Sequence, residues 1–154
     1  MFIALNTAQF NKNNTIISER TRNNVIDDSY FYRFYYSDDY FNTNGIFIKF
    51  NIKDIKVEKY YNKLKCIFKN NQYNNNIIKN IINIEDQILE KFYRISNSPK
   101  TFRISEQLSN SYIKLYSEGF QNYTTYDNIN FLLKISGLWV SNSQYGITFR
   151  FYII

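Results

Sequence analysis

Two apolar runs near the end of the sequence limit the fold more than any other feature. Phe131-Leu-Leu-Lys-Ile-Ser-Gly-Leu-Trp-Val140 and Tyr145-Gly-Ile-Thr-Phe-Arg-Phe-Tyr-Ile-Ile154 are rich in β-branched and aromatic residues, with Ser141-Asn-Ser-Gln144 between them. Such residues favour strands, and a polar four-residue link suits a hairpin loop. Gly137 interrupts the first run just before Trp139, the chain's single tryptophan. A glycine inside a strand marks a bulge, a bend or a close backbone approach. A bend there lets a sheet curl, as a small closed barrel requires. The pair reads as the closing hairpin of a β-barrel, with the last residues inside the sheet.

Upstream the same two-residue period recurs. Ile46, Ile48, Phe50 and Ile52 alternate with Phe47, Lys49, Asn51 and Lys53, which describes a half-buried strand. Ser29–Tyr36 is strand-like by aromatic density, and Ser37–Gly45 is rich in turn formers. Residues 55–61 and 64–69 continue as strand with a break near Asn62. A short strand is expected around Ile16-Ile17, and a strand or arm over residues 2–10. Asn70–Asn76 reads as a loop. The period then changes: Ile78, Ile81, Ile82, Ile88, Leu89 and Phe92 fall at helical spacing, predicting a helix over about 77–95 with Asn76 as N-cap and Pro99 beyond its end. A helical turn is expected at Ser105–Leu108, a strand at Ser111–Ser117 and a polar loop at Glu118–Asn128. One mainly β domain spans residues 1–154. An antiparallel barrel with one helix between its third and fourth main strands is the OB-fold arrangement. An open α+β sheet with the helix on one face fits the same order.

The chain has no histidine and one cysteine, Cys66, which removes the commonest general base, the commonest metal ligand and any internal disulfide. There is no glycine-rich phosphate loop and no run of 18 apolar residues, so no cofactor, no membrane span, no signal peptide and a cytoplasmic setting are expected. The carboxylate pairs Asp27-Asp28 and Asp38-Asp39 lie in turn-like stretches, where Asp serves local hydrogen bonding. A two-metal nuclease built on carboxylates alone is the enzymatic rival. Lys and Arg outnumber Asp and Glu by 19 to 13, and 15 Tyr with 14 Phe make the chain unusually aromatic. An AT-rich coding bias toward Asn, Ile, Lys and Tyr accounts for part of that excess, but not for where the residues fall.

Residues two apart on a strand share a face. On the expected outer faces, aromatic and cationic residues alternate: Phe31, Arg33 and Tyr35; Phe47 and Lys49; Tyr112, Lys114 and Tyr116; Arg150 and Tyr152. Rings stack on bases for about 1–3 kcal/mol each without sequence preference, and the cations neutralise phosphates. Trp139 is assigned to the core.

The segments Ile84–Phe92, Ile104–Tyr116, Leu133-Lys-Ile-Ser-Gly-Leu-Trp139 and Tyr145-Gly-Ile-Thr-Phe-Arg-Phe151 resemble those of single-stranded DNA-binding proteins of large DNA viruses and of yeast cytoplasmic linear plasmids. The resemblance covers roughly the C-terminal half. It implies an OB-fold that coats displaced single strands during replication, with single-stranded DNA as partner and replication proteins as further ones. It assigns no contact residues. Many single-strand-binding proteins end in an acidic recruitment tail, whereas Phe151-Tyr-Ile-Ile154 is apolar, which suits a strand packed in the sheet or against another subunit of a homo-oligomer. A protein-interaction or immunity module of a similar genetic element is the non-enzymatic alternative.

Overall fold

The computed structural model describes residues 4–22, 28–116 and 124–154. Its elements run β1 (Thr15–Arg22), β2 (Tyr30–Ser37), β3 (Asn42–Asn44), β4 (Ile46–Tyr60), β5 (Lys63–Phe68), α1 (Gln72–Lys91), β6 (Lys100–Thr101), α2 (Arg103–Ser109), β7 (Tyr112–Tyr116), β8 (Thr124–Val140) and β9 (Tyr145–Ile153). The strands form one mainly antiparallel sheet ordered β1-β2-β8-β4-β5-β7, with β9 on the other edge of β8. The parallel exceptions are β6 with β9 and a bridge from Leu5 to Ile48.

The sheet does not close into the expected barrel. β7 and β9 are its unjoined margins: β7 pairs with β5, and β9 pairs with β8 and β6. Three further expectations need correction: the bounds and cap of the helix, the single turn, and the polar loop. The helix begins at Gln72, inside the Asn-rich stretch expected to be a loop, and its cap is Asn71, whose side chain accepts from the Asn74 N–H at 2.8 Å. It ends at Lys91, and Tyr93–Ile95 is a separate 3₁₀ turn. A second helix, α2, replaces the single turn expected at 105–108. Thr124–Asn128, expected as loop, belongs to β8; residues 118–123 of that loop lie outside the described residues, as do residues 2–3, 23–24 and Asp27.

The core lies between one face of the sheet and α1. Ile46, Ile48, Phe50 and Ile52 of β4 are buried, and Phe47, Lys49, Asn51 and Lys53 face outward. The alternation then slips: Asp54 adopts φ 56°, and beyond it the odd residues Ile55 and Val57 turn inward. From the helix come Ile78, Ile81, Ile84, Ile88 and Leu89, one stripe at helical period. Phe34 of β2 stacks on Phe92 at 5.4 Å, and Phe50 on Phe131 at 5.5 Å. Fully burying each such side chain contributes about 1.5–3 kcal/mol.

Two buried polar side chains tie the helices down, one to the sheet and one to each other. The Asn74 amide accepts from the Lys53 N–H and donates to the Lys53 and Lys69 carbonyls. Glu85 accepts from the N–H groups of Ile104 and Ser105 and from the Ser105 hydroxyl, tying α1 to the start of α2. Burial pushes the Glu85 carboxyl above its ordinary range, against the pull of those three donors.

The C-terminal hairpin forms as expected but closes no barrel, with Val140 opposite Tyr145 and the Ser141 N–H donating to the Gln144 carbonyl. A register shift falls between Ile135 and Gly137, the position the glycine marks. A Cβ on Gly137 would sit 2.2 Å from the Tyr32 carbonyl oxygen and 2.5 Å from the Phe31 ring. Here glycine permits β2 to approach β8.

Candidate nucleic-acid interface

The register places the outward side chains of four strands on one surface. Phe47 pairs with Lys134, and Lys134 with Arg150; Lys49 pairs with Leu132, and Leu132 with Tyr152. Phe31 pairs with Trp139 and Arg33 with Gly137, which extends the surface onto β2. Paired residues point to the same side of a sheet, so this is one continuous face. It is opposite the face that packs on α1.

β5 and β7 add a second half. Lys63 pairs with Tyr116, Lys65 with Lys114 and Ile67 with Tyr112, each alternating with buried Leu64, Cys66 and Phe68. The two halves meet at Arg150. Its guanidinium lies 5.5 Å from the ring centre of Tyr116 on β7 and 5.1 Å from that of Tyr152 on its own strand. Tyr116 is also approached by Lys63, at 5.4 Å. Tyr112 is flanked the same way, by Lys65 at 4.9 Å and Lys114 at 5.5 Å.

Two of the shallow grooves on this surface take in the nominated rings. One, of about 390 Å³, runs between the unjoined margins β7 and β9, over the core side chains Leu115 and Phe151, with Arg103 and Glu106 of α2 at one end. The other, of about 460 Å³, lies over Leu132 between Phe47 and Tyr152, with Lys134 at its rim. Leu132 points outward yet is only 3% exposed, because the neighbouring rings cover it.

The charge on this face is largely uncompensated. Among the described residues the ion pairs are Lys56–Glu58 and Lys100–Glu90, and neither involves Lys49, Lys63, Lys114, Lys134 or Arg150. Lys56, Lys65 and the Tyr60 hydroxyl hold Glu58, so its carboxyl titrates below the ordinary range, the tyrosine hydrogen bond being the largest cause. An ammonium or guanidinium resting on a ring keeps its charge and spare donors for an incoming anion.

All ten residues nominated from strand alternation face outward on this surface. The structure gathers Phe47, Tyr112, Lys114, Tyr116, Arg150 and Tyr152 around the two grooves, and Lys49 stands opposite Leu132 on β4. Phe31, Arg33 and Tyr35 lie farther along, on β2, where Arg33 stands 5.8 Å from the Phe31 ring and donates to Asn44. Sequence reasoning missed Lys63, Lys65, Lys134 and Arg103. Lys134 lies 5.7 Å from the Phe47 ring, and Arg103 lies 5.0 Å from the Trp139 ring. Trp139 is 9% exposed, buried as expected, but on the outer side of the sheet.

Asp38 has a local duty. Asp38 accepts from the N–H groups of Tyr40 and Phe41, capping a turn. Among the described residues no three His, Cys, Asp or Glu side chains come together in a way that could hold a metal ion. No helix of the described residues is long and apolar enough to cross a membrane. Comparisons with protein-family models, with curated proteins and with solved structures found no match to this chain.

Proposed function

We propose that this protein binds single-stranded nucleic acid on the outer face of its sheet, without sequence preference, and serves as a single-stranded DNA-binding protein in replication. The observation that carries the reading is the position of Arg150 between Tyr116 and Tyr152, which joins two rows of rings and unpaired cations into one surface. Tyrosine rings offer π-faces to any base, and the cations offer charge to the phosphates between bases. A duplex hides its base faces in the stack, so the rings would discriminate against it. Closure into an OB-type barrel is not needed for this reading, since the grooves lie on an open sheet. The DNA and replication assignment rests on the sequence resemblance.

Fluorescence anisotropy with a labelled oligothymidylate tests it, with unlabelled single strand, duplex and RNA as competitors. Single strand should compete far better than duplex, and affinity should fall steeply with salt. Equal competition by duplex, or an affinity indifferent to salt, would refute the reading.

A further inference from the structure

The groove between β7 and β9 is where the sheet fails to close, and its charge is one-sided. Arg103, Lys114 and Arg150 line it from three different elements: α2, β7 and β9. Among the described residues none of the three makes an ion pair, and neither does Glu106, the acidic residue at the α2 end. All three cations lie over rings, Arg103 over Trp139, Lys114 over Tyr112 and Arg150 between Tyr116 and Tyr152. Stacking fixes a guanidinium in place without spending its N–H donors, which is the arrangement that recognises a phosphate. Arg103 owes its position to buried Glu85, which holds the first turn of α2 through Ile104 and Ser105.

We propose that this seam is the track of the sugar–phosphate backbone, with the phosphodiesters of one strand seated successively on Arg103, Lys114 and Arg150 and the bases turned outward onto the tyrosines at its banks. The proposal rests on the single-strand reading above and adds a path to it. Three cations lining one groove contribute in proportion to the counterions they release. For a single strand the slope of log affinity against log salt is about −0.7 per phosphate neutralised, so the seam accounts for about −2 of the total.

The full chain with Arg103→Gln, Lys114→Gln and Arg150→Gln, singly and together, is titrated with labelled oligothymidylate between about 50 and 200 mM salt. Each single change should shallow the slope by about 0.7 and the triple change by about 2. Arg150→Lys and Arg103→Lys should restore it, which a purely structural role for the planar groups would not allow. Glu106→Gln should tighten binding, and Lys79→Gln, on the helix side, should leave the slope unchanged. An abasic strand should bind more weakly with the same slope, because the seam reads the backbone. All three side chains are exposed, so the variants should keep the wild-type urea midpoint. Wild-type binding with an unaltered slope in the triple variant would overturn the seam while leaving the single-strand reading in place. Absence of binding by the wild-type protein would overturn both.

Discussion

Asn74→Ala should be among the most damaging single changes to this fold, although Asn74 lies in a stretch with no apolar pattern. The reason is at Asp54. Its positive φ carries β4 away from regular pairing just before the β5 ladder begins at Ile55. Lys53 is left without a β5 partner, and the Asn74 amide takes that place. It accepts from the Lys53 N–H at 2.9 Å and donates to the Lys53 carbonyl at 2.8 Å, as a neighbouring peptide would, and donates also to Lys69 at 2.9 Å. The side chain is fully buried, so water does not substitute. Three hydrogen bonds at about 1 kcal/mol each give a loss of about 3 kcal/mol, with part of it the cost of stranding an N–H and two carbonyls. With a urea m-value of about 2 kcal/mol/M the midpoint should fall by about 1.5 M in equilibrium unfolding followed by circular dichroism. Asn74→Asp sharpens the test. A carboxylate still accepts from Lys53, but turns its second oxygen on two carbonyls, so it should cost at least as much as alanine. A loss below about 1 kcal/mol for alanine, or a tolerated aspartate, would refute the surrogate-peptide account.

Two other changes probe the sheet directly. Gly137→Ala puts a methyl 2.2 Å from the Tyr32 carbonyl and 2.5 Å from the Phe31 ring; the backbone contact cannot yield, so thermal unfolding should show a loss of about 2 kcal/mol or more, and wild-type stability would contradict the close approach. Cys66 is fully buried between β4 and β7, and burial pushes its thiol up to about 12, so alkylation near pH 8 should proceed only after denaturation; rapid native labelling would contradict that burial.

What could be read from the sequence was whatever depends on a short period. The alternation Ile46 to Lys53 gave both faces of β4 because a strand places every second residue on one side, and one side here is core. Gly137 marked its bulge because few other residues could sit there. The start of α1 was hidden because Asn74 and its neighbours are poor helix formers; the helix there is held by the Asn71 cap and by the bonds of Asn74 to the sheet, neither of which leaves a periodic trace. The open seam was hidden for a similar reason, since closure depends on whether β7, ending at Tyr116, and β9, starting at Tyr145, pair across the long stretch between them. Lys65 has no ring two residues away, and Tyr61, two residues before Lys63, lies in the turn at φ 57°; the tyrosines that meet these lysines are on β7. Arg103 finds Trp139 only through tertiary packing.

An AT-rich coding bias raises Lys, Tyr and Asn throughout a chain, and it acts on every codon without regard to which side of a sheet the residue will occupy. It therefore predicts similar charge on the helix side and on the sheet side. The helix does not follow. Within Gln72–Lys91 the charged residues are Lys79 and Lys91 against Glu85, Asp86 and Glu90. On the outer face of the sheet stand Lys49, Lys63, Lys65, Lys114, Lys134 and Arg150, while the acidic Glu58 is already held by Lys56 and Tyr60. Clustered like charge destabilises a folded chain by self-repulsion unless a counter-charge arrives. Mutation alone supplies the residues but gives no reason to keep the carboxylates away from one face. A polyanion bound there does, because each added carboxylate would repel it. The same logic sets the sign expected for Glu106→Gln: the acidic residue at the seam should be a brake on binding, and removing it should raise affinity most at low salt, where screening is weakest.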